Sequence, residues 1–124
     1  MRLGTDSSLI ITNEKFKQIL LHAMSDEDIV KILNSTKQHS KSVPVLMKLH
    51  NITHSTIYRK IKWMLENNLL VTDKIEIRED GKKFSLFKST IKSIKVNYED
   101  DVIVEIQENA TKMDLAAKEF FSLE

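Results

Sequence analysis

The stretch from residue 42 to 70, SVPVLMKLHNITHSTIYRKIKWMLENNLL, constrains the fold more than any other part of this 124-residue chain. Ser42 is a good helix N-cap, and Pro44 suits the first turn of a helix, where a missing N–H costs little. Asn51 follows at a point where the chain must turn sharply, with a positive φ. Thr53 can then cap a second helix. We therefore predict two short helices joined by a tight turn.

Both predicted helices place apolar residues at the spacing of one buried face. These residues are Val43, Leu46, Met47 and Leu49 in the first helix, and Ile57, Ile61, Met64 and Leu65 in the second. At about 100° per residue, the opposite face of the second helix is polar. It carries Ser55, Arg59 and Lys62, flanked by Thr56 and Tyr58. These side chains can hydrogen-bond to base edges or phosphates, as a recognition helix does.

Positive charge is concentrated in the same part of the chain. No Asp or Glu occurs between Ile29 and Leu65, whereas seven residues there are cationic: Lys31, Lys37, Lys41, Lys48, Arg59, Lys60 and Lys62. The chain from Val96 onward is acidic, so the net charge of +1 is the sum of a basic middle and an acidic C-terminal part. The basic middle predicts a polyanionic partner. In the polar segment 34–41, solubility explains the charge as well as phosphate contact does.

Helices are also predicted before this stretch. Thr12 or Asn13 can cap a helix with apolar residues on one side, which are Phe16, Ile19, Leu20 and Ala23. Ser25 begins the next helix, and the acidic residues that follow it suit the positive end of the helix dipole. Residues 1–11 are expected to be a flexible N-terminus, although the apolar run 9–11 could dock on a neighbour.

After Leu70 the hydrophobic period changes from helical to two, which predicts β-hairpins. The first hairpin covers 73–88 and turns at residues 79–82, with Arg78, Lys82 and Lys83 near its tip. The second alternates over 94–106 around an acidic turn at 99–101. Beyond Asn109 we predict a last helix with an apolar face, which consists of Met113, Ala116, Ala117 and Phe120, with Phe121 close by.

The order of these elements resembles the helix-turn-helix of winged-helix regulators of the ArsR-like kind, known from archaea and bacteria. The resemblance covers residues 25–89. It rests on the run Ile-Thr-x-Ser-Thr-x-Tyr-Arg at 52–59, on Leu69-Leu70 after that helix, and on the Asp80-Gly81-Lys82 hairpin. Asn51 stands where the turn usually has Gly.

The resemblance implies an α+β fold: a winged helix-turn-helix with an N-terminal helix, an additional β-hairpin and a C-terminal helix. It divides the chain into a winged helix-turn-helix domain at 12–89 and a dimerisation extension at 90–124. A recognition helix at 54–67 would enter the major groove of double-stranded DNA, and a wing at 73–88 would contact the backbone or minor groove. The expected DNA contacts are Lys41, Ser42, His54, Ser55, Thr56, Tyr58, Arg59, Lys60, Lys62, Arg78, Lys82 and Lys83. The expected homodimer contacts are Met113, Ala116, Ala117, Phe120 and Phe121.

Composition argues against several other classes. The chain has no Cys, which excludes disulfides and thiolate metal sites and fits a cytoplasmic location. No apolar run approaches the length that crosses a bilayer. With two Gly and no catalytic motif, neither an enzyme nor a cofactor is predicted. His50 and His54 have zinc-binding spacing, but the turn at Asn51 separates them, so no metal site is predicted.

The alternative function is a winged-helix protein interaction module of a larger assembly, with weak DNA binding or none. Its working surface would be the acidic hairpin and the apolar last helix. RNA binding ranks third, because Tyr58 and Phe87 are too sparse for a stacking platform. The operator sequence, activation or repression, and any small-molecule effector do not follow from the sequence.

Overall fold

Four helices and two small antiparallel sheets make up the part of the chain that the computed structural model describes, residues 8–110. The helices are α1 (Glu14–Met24), α2 (Glu27–Ser35), α3 (Val43–His50) and α4 (His54–Glu66). The strands are β1 (Leu9–Ile10), β2 (Leu70–Ile77), β3 (Lys83–Ser89), β4 (Ile91–Tyr98) and β5 (Val102–Glu108). This mixture confirms the predicted α+β class.

Local capping residues determine where three of the helices begin. Each N-cap side chain accepts a hydrogen bond from the N–H three residues further on: Asn13 at 2.8 Å, Asp26 at 3.1 Å and Ser42 at 3.5 Å. The structure corrects one predicted start, because Asp26 and not Ser25 caps α2. Ser25 instead closes α1, where its Oγ donates to the carbonyl oxygen of His22 at 2.7 Å.

The core is formed by the helices, by the base of the first hairpin and by one face of the second hairpin. Its fully buried side chains include Leu20, Ile32, Leu46, Ile57, Met64, Leu69, Leu70 and Val104. One predicted core position is wrong: Leu49 is 55% exposed. It lies about 200° around the helix from Met47, and that rotation carries it off the buried face.

The β2–β3 hairpin is the predicted first hairpin, with a register that runs from Leu70 opposite Ser89 to Ile77 opposite Lys83. A register shift at Asp73 marks a bulge in β2. A further backbone bridge joins β3 to the segment before α3. The Lys41 N–H donates to the Phe87 carbonyl at 3.0 Å, and the Phe87 N–H donates back at 2.8 Å. This bridge fixes the hairpin beside the N-terminus of α3.

The second hairpin, β4–β5, belongs to the same core as the helices. Ile91, Val104 and Ile106 are buried in that core, and the Thr90 N–H donates to the Leu69 carbonyl at 3.0 Å. Residues 90–110 therefore pack against the preceding domain. The predicted last helix and its dimer contacts, Met113 to Phe121, lie outside the described residues.

Of the predicted flexible region 1–11, residues 9–11 dock on a neighbouring strand, as the alternative for that apolar run allowed. Leu9 and Ile10 pair antiparallel with β5, and the Ile11 N–H donates to the Val104 carbonyl at 2.9 Å. The three-stranded sheet has the order β1-β5-β4. A two-residue strand has no periodicity to detect. It forms because the edge of β5 offers unpaired N–H and C=O groups and because Ile11, which follows it, packs against the core. Within residues 8–110, no helix has the length and hydropathy required to span a membrane.

Candidate nucleic-acid interface

The turn between α3 and α4 has the geometry that the sequence predicts. Asn51 adopts the left-handed conformation, with φ 54° and ψ 49°. The Ile52 N–H donates to the Met47 carbonyl at 3.1 Å, which closes the end of α3. Ile52 itself is buried, as expected, and anchors the turn in the core. These contacts fix the direction in which α4 leaves the turn.

The two faces of α4 differ sharply. Ile57, Ile61 and Met64 are buried on one side. The opposite side is exposed and carries His54, Ser55, Tyr58, Arg59 and Lys62. We call these five residues the α4 face. Because the buried side chains hold the helix rigidly, the α4 face presents its donors in a fixed arrangement along about two turns.

The N-terminus of α4 is open to solvent. Thr53 occupies the N-cap position, but its side chain does not cap the helix, contrary to the prediction. Its Oγ1 donates instead to Thr56 Oγ1 at 3.0 Å, and Thr56 is half-buried. The rings of His54 and Tyr58 lie 4.5 Å apart between centroids. The first N–H groups of α4 therefore lack a side-chain acceptor from Thr53, an arrangement that suits a phosphate.

Lys60 lies on α4 but points away from the α4 face. Its Nζ is 2.9 Å from Asp26 Oδ1 and 2.9 Å from Asp28 Oδ2, and its side chain is 12% exposed. We call this arrangement the Lys60 clamp. It joins the start of α2 to the middle of α4. Because the Lys60 ammonium is paired with two carboxylates, it is not available for the DNA contact that the sequence predicted.

The pairing of Lys60 with Asp26 shifts the pKa values of these two groups in opposite directions. Burial by itself lowers the pKa of Lys60, but the hydrogen bonds to Asp28 and Asp26 outweigh it, and the pKa is raised. Burial likewise acts to raise the pKa of Asp26. The hydrogen bonds from Lys60 and from the Ile29 N–H outweigh that effect, so the pKa of this carboxyl lies below its usual value. Lys60 and Asp26 are therefore both charged near neutral pH.

We expect Lys60→Met to lower the free energy of unfolding by about 2 kcal/mol at pH 7, because it leaves two partly buried carboxylates without their cation. The pKa of Asp26 is depressed in the folded state, so its contribution is present above the unfolded pKa of 3.8 and is lost as pH falls through the folded value. Lys60→Met should therefore be less sensitive to acid than the wild type below about pH 4. Urea unfolding at pH 7 and at pH 3 measures both effects.

Lys62→Met is the matched control, since Lys62 is exposed on the same helix and forms no ion pair within residues 8–110. It should change stability by less than about 0.5 kcal/mol. Equal stability of Lys60→Met and the wild type at pH 7 would show that the clamp contributes nothing.

Two other expected contacts lie at the start of α3. Ser42 is 6% exposed and its hydroxyl caps the helix, so Ser42 also leaves the contact set. Lys41 is half-buried, and its Nζ donates to the carbonyl oxygen of Ser35 at the end of α2. The ammonium of Lys41 thus has a structural partner, and the α4 face does not depend on it.

The tip of the first hairpin carries the three predicted cations on the surface. Gly81 has φ 84°, which the turn requires, and Arg78 lies over the ring of Phe84 with its guanidinium carbon 5.3 Å from the centroid. Lys82 and Lys83 are exposed. The same tip also exposes carboxylates, which are Glu76, Glu79 and Asp80. Their three charges offset those of the three cations, so the tip has no net charge, whereas the α4 face carries Arg59 and Lys62 and no acidic residue.

The histidines of the helix-turn-helix segment point to different partners. His50 Nε2 is 2.9 Å from Ser35 Oγ, and burial lowers the pKa of His50, helped by Lys31 and Lys41. His54 contacts Tyr58 instead. Among residues 8–110, no group of three or more His, Cys, Asp or Glu side chains is arranged to hold a metal ion.

The feature that sequence reasoning missed is the Lys60 clamp. Asp26 and Asp28 precede Lys60 by 34 and 32 residues in the chain. At such a separation no periodic pattern in the sequence indicates a contact. The only available signal was a lone lysine near the buried side of an amphipathic helix.

Comparison with known proteins adds no identification to this geometry. The chain matches no protein-family model, no curated protein and no solved structure.

Proposed function

We propose that this protein is a sequence-specific regulator of transcription that binds double-stranded DNA through α4. The observation that carries the proposal is the α4 face: five exposed hydrogen-bonding or cationic side chains on one side of a helix whose other side is locked into the core. An α-helix of this kind fits the major groove, where base edges present distinct donor and acceptor patterns. Arg59 is the residue best suited to reading a guanine, because its guanidinium can donate to O6 and N7 together.

The order of elements supports a winged-helix arrangement. α2, α3 and α4 form three consecutive helices, and the β2–β3 hairpin follows α4 directly. The Lys41–Phe87 bridge holds that hairpin beside the start of α3. The hairpin then acts as the wing, with Arg78, Lys82 and Lys83 as its candidate phosphate contacts.

Charge also supports a polyanionic partner. Of the seven cations between Ile29 and Leu65, Lys31 pairs with Glu27 at 3.3 Å and Lys60 is held in the clamp. The others have no carboxylate within 4.0 Å in the part of the chain that the structure describes, and these are Lys37, Lys41, Lys48, Arg59 and Lys62. Lys41 already donates to the Ser35 carbonyl, so phosphate contacts from the exposed members of this set supply affinity, and the α4 face supplies specificity.

A dimer completes the proposal, because two copies of α4 one helical turn apart would read a palindromic site. The predicted dimer contacts lie outside residues 8–110, so this step rests on the sequence. Light scattering of the full chain measures its mass in solution. A monomeric mass at micromolar concentration would contradict the proposed dimer but not the proposed DNA binding by α4.

The test is selection of bound fragments from a random duplex pool, followed by gel shifts of the selected duplex across a salt series. If a dimer contacts about six phosphates, the log of the binding constant should fall with the log of salt concentration at a slope of about −5. The selected duplex should bind at least about 1,000 times more tightly than a scrambled one at physiological salt. No enrichment of any sequence, or equal affinity for both duplexes, would contradict the proposal.

A protein interaction module is the second candidate, and exposed apolar residues on the second hairpin favour it. Tyr98 is 71% exposed and Val96 is 46% exposed. Earlier in the same strand, Ile91 is buried and Ile94 is half-buried. Such a surface suits another protein. Salt-insensitive association with a protein, together with a flat salt response toward DNA, would select this candidate over DNA binding.

A further inference from the structure

A cleft separate from the α4 face lies where α1, α2 and β4 meet, with a volume of about 190 Å³. Its apolar lining comes from all three elements and consists of Met24, Val30, Leu33, Ile91 and Ile94. The register of β4 against β5 shifts between Ile91 and Ser93, so a bulge lies at the part of β4 that borders the cleft. Bulges of this kind redirect side chains and often lie beside functional sites.

The charged residues that line the cleft are all cationic. Lys37 and Lys92 line it, together with the uncharged Asn34 and Ser93, and no carboxylate does. Within residues 8–110, neither lysine forms an ion pair. The backbone near Lys37 is held in place, since its carbonyl accepts from Asn109 Nδ2 at 2.8 Å. The cleft thus combines an apolar wall with two ammonium groups.

We propose that this cleft binds a small amphipathic carboxylate, which is an aromatic ring or short alkyl chain that carries one negative charge. The size follows from the volume, because an apolar cavity of about 150 Å³ accepts a molecule as large as benzene. The charge follows from the two lysines, which would donate to the carboxylate while the ring or chain contacts the apolar wall. This inference does not depend on DNA binding, so its failure and the failure of the proposed function are separate results.

The experiment is a titration of the full chain, labelled with carbon-13 in its methyl groups, with benzoate and with octanoate. The methyl signals of the five apolar lining residues should shift in a saturable way, with a dissociation constant of about 1 mM. The methyl signals of Ile75 and Ile77, which are exposed on the first hairpin, should not move. Benzyl alcohol and octanol, which lack the charge, should bind about tenfold more weakly.

Charge variants test the role of the two lysines. The double variant Lys37→Gln and Lys92→Gln should bind benzoate about tenfold more weakly or worse, whereas Lys95→Gln, on an exposed part of β4, should bind like the wild type. Lys92 and Lys95 are exposed and Lys37 is half-buried, so the methyl spectra of both variants without ligand report whether the fold is intact. The proposal is overturned if no lining methyl shifts at about 10 mM ligand. It is also overturned if the alcohols bind as tightly as the acids, or if the double variant keeps full affinity.

Discussion

The Ile57→Ala variant is expected to lose about 3 kcal/mol of its free energy of unfolding. Ile57 is fully buried on the inner side of α4, in the same core cluster as Leu46 and Met64. The substitution removes three carbon atoms and leaves a cavity that the surrounding side chains fill only in part, so the cost exceeds the transfer free energy of the lost atoms. Urea unfolding followed by circular dichroism measures this loss as a lower midpoint with an unchanged slope.

Arg59→Ala is the control for this stability effect. Arg59 is exposed two residues further along the same helix, and its removal should change the free energy of unfolding by less than about 0.5 kcal/mol. If Ile57→Ala were tolerated and Arg59→Ala destabilised the protein, the assignment of the buried and exposed faces of α4 would be wrong.

Under the proposed function, Arg59→Ala should have its large effect on DNA binding. On the selected duplex we expect a loss of about 1–3 kcal/mol, and discrimination should relax at the base pair that Arg59 contacts. The loss arises because the alanine cannot donate to a base edge, and no neighbouring side chain of the α4 face can supply two parallel donors. Gel shifts with the selected duplex and with its single-base variants measure both the loss and its position.

The matched control is Lys95→Ala, which removes an exposed cation from β4. Its affinity for the selected duplex should stay within about twofold of the wild type. A nonspecific effect of net charge would weaken both variants alike, whereas a base contact weakens Arg59→Ala alone. If Arg59→Ala bound every duplex as the wild type does, α4 would not be the element that reads the sequence.

Local signals were enough to predict α3, α4 and the turn between them, and both hairpins. Ser42 and Asn51 act within their own turn of the chain, through a cap and a left-handed conformation. The change from helical to alternating periodicity after Leu70 likewise predicted the first hairpin, although β2 begins at Leu70, three residues before the predicted start at 73. Each of these features depends on residues a few positions apart, which is why the sequence displays them.

Contacts between distant residues were not predictable in the same way. The Lys60 clamp changes the role of a residue that the sequence placed among the DNA contacts, and it depends on carboxylates from another helix. The pairing of Leu9 with Ile106 depends on the free edge of β5. The cleft between α1, α2 and β4 exists only because elements far apart in the chain pack together.

The sequence by itself determined that α4 would have one apolar and one polar side, since helical spacing alone sorts these residues. Only the tertiary structure decided which cations remain available, because a charged side chain on a helix can turn to a neighbouring carboxylate or to solvent. Lys60 and Arg59 are adjacent in the chain, yet the first is paired with Asp26 and Asp28 while the second is exposed. The difference arises from which side of α4 faces α2.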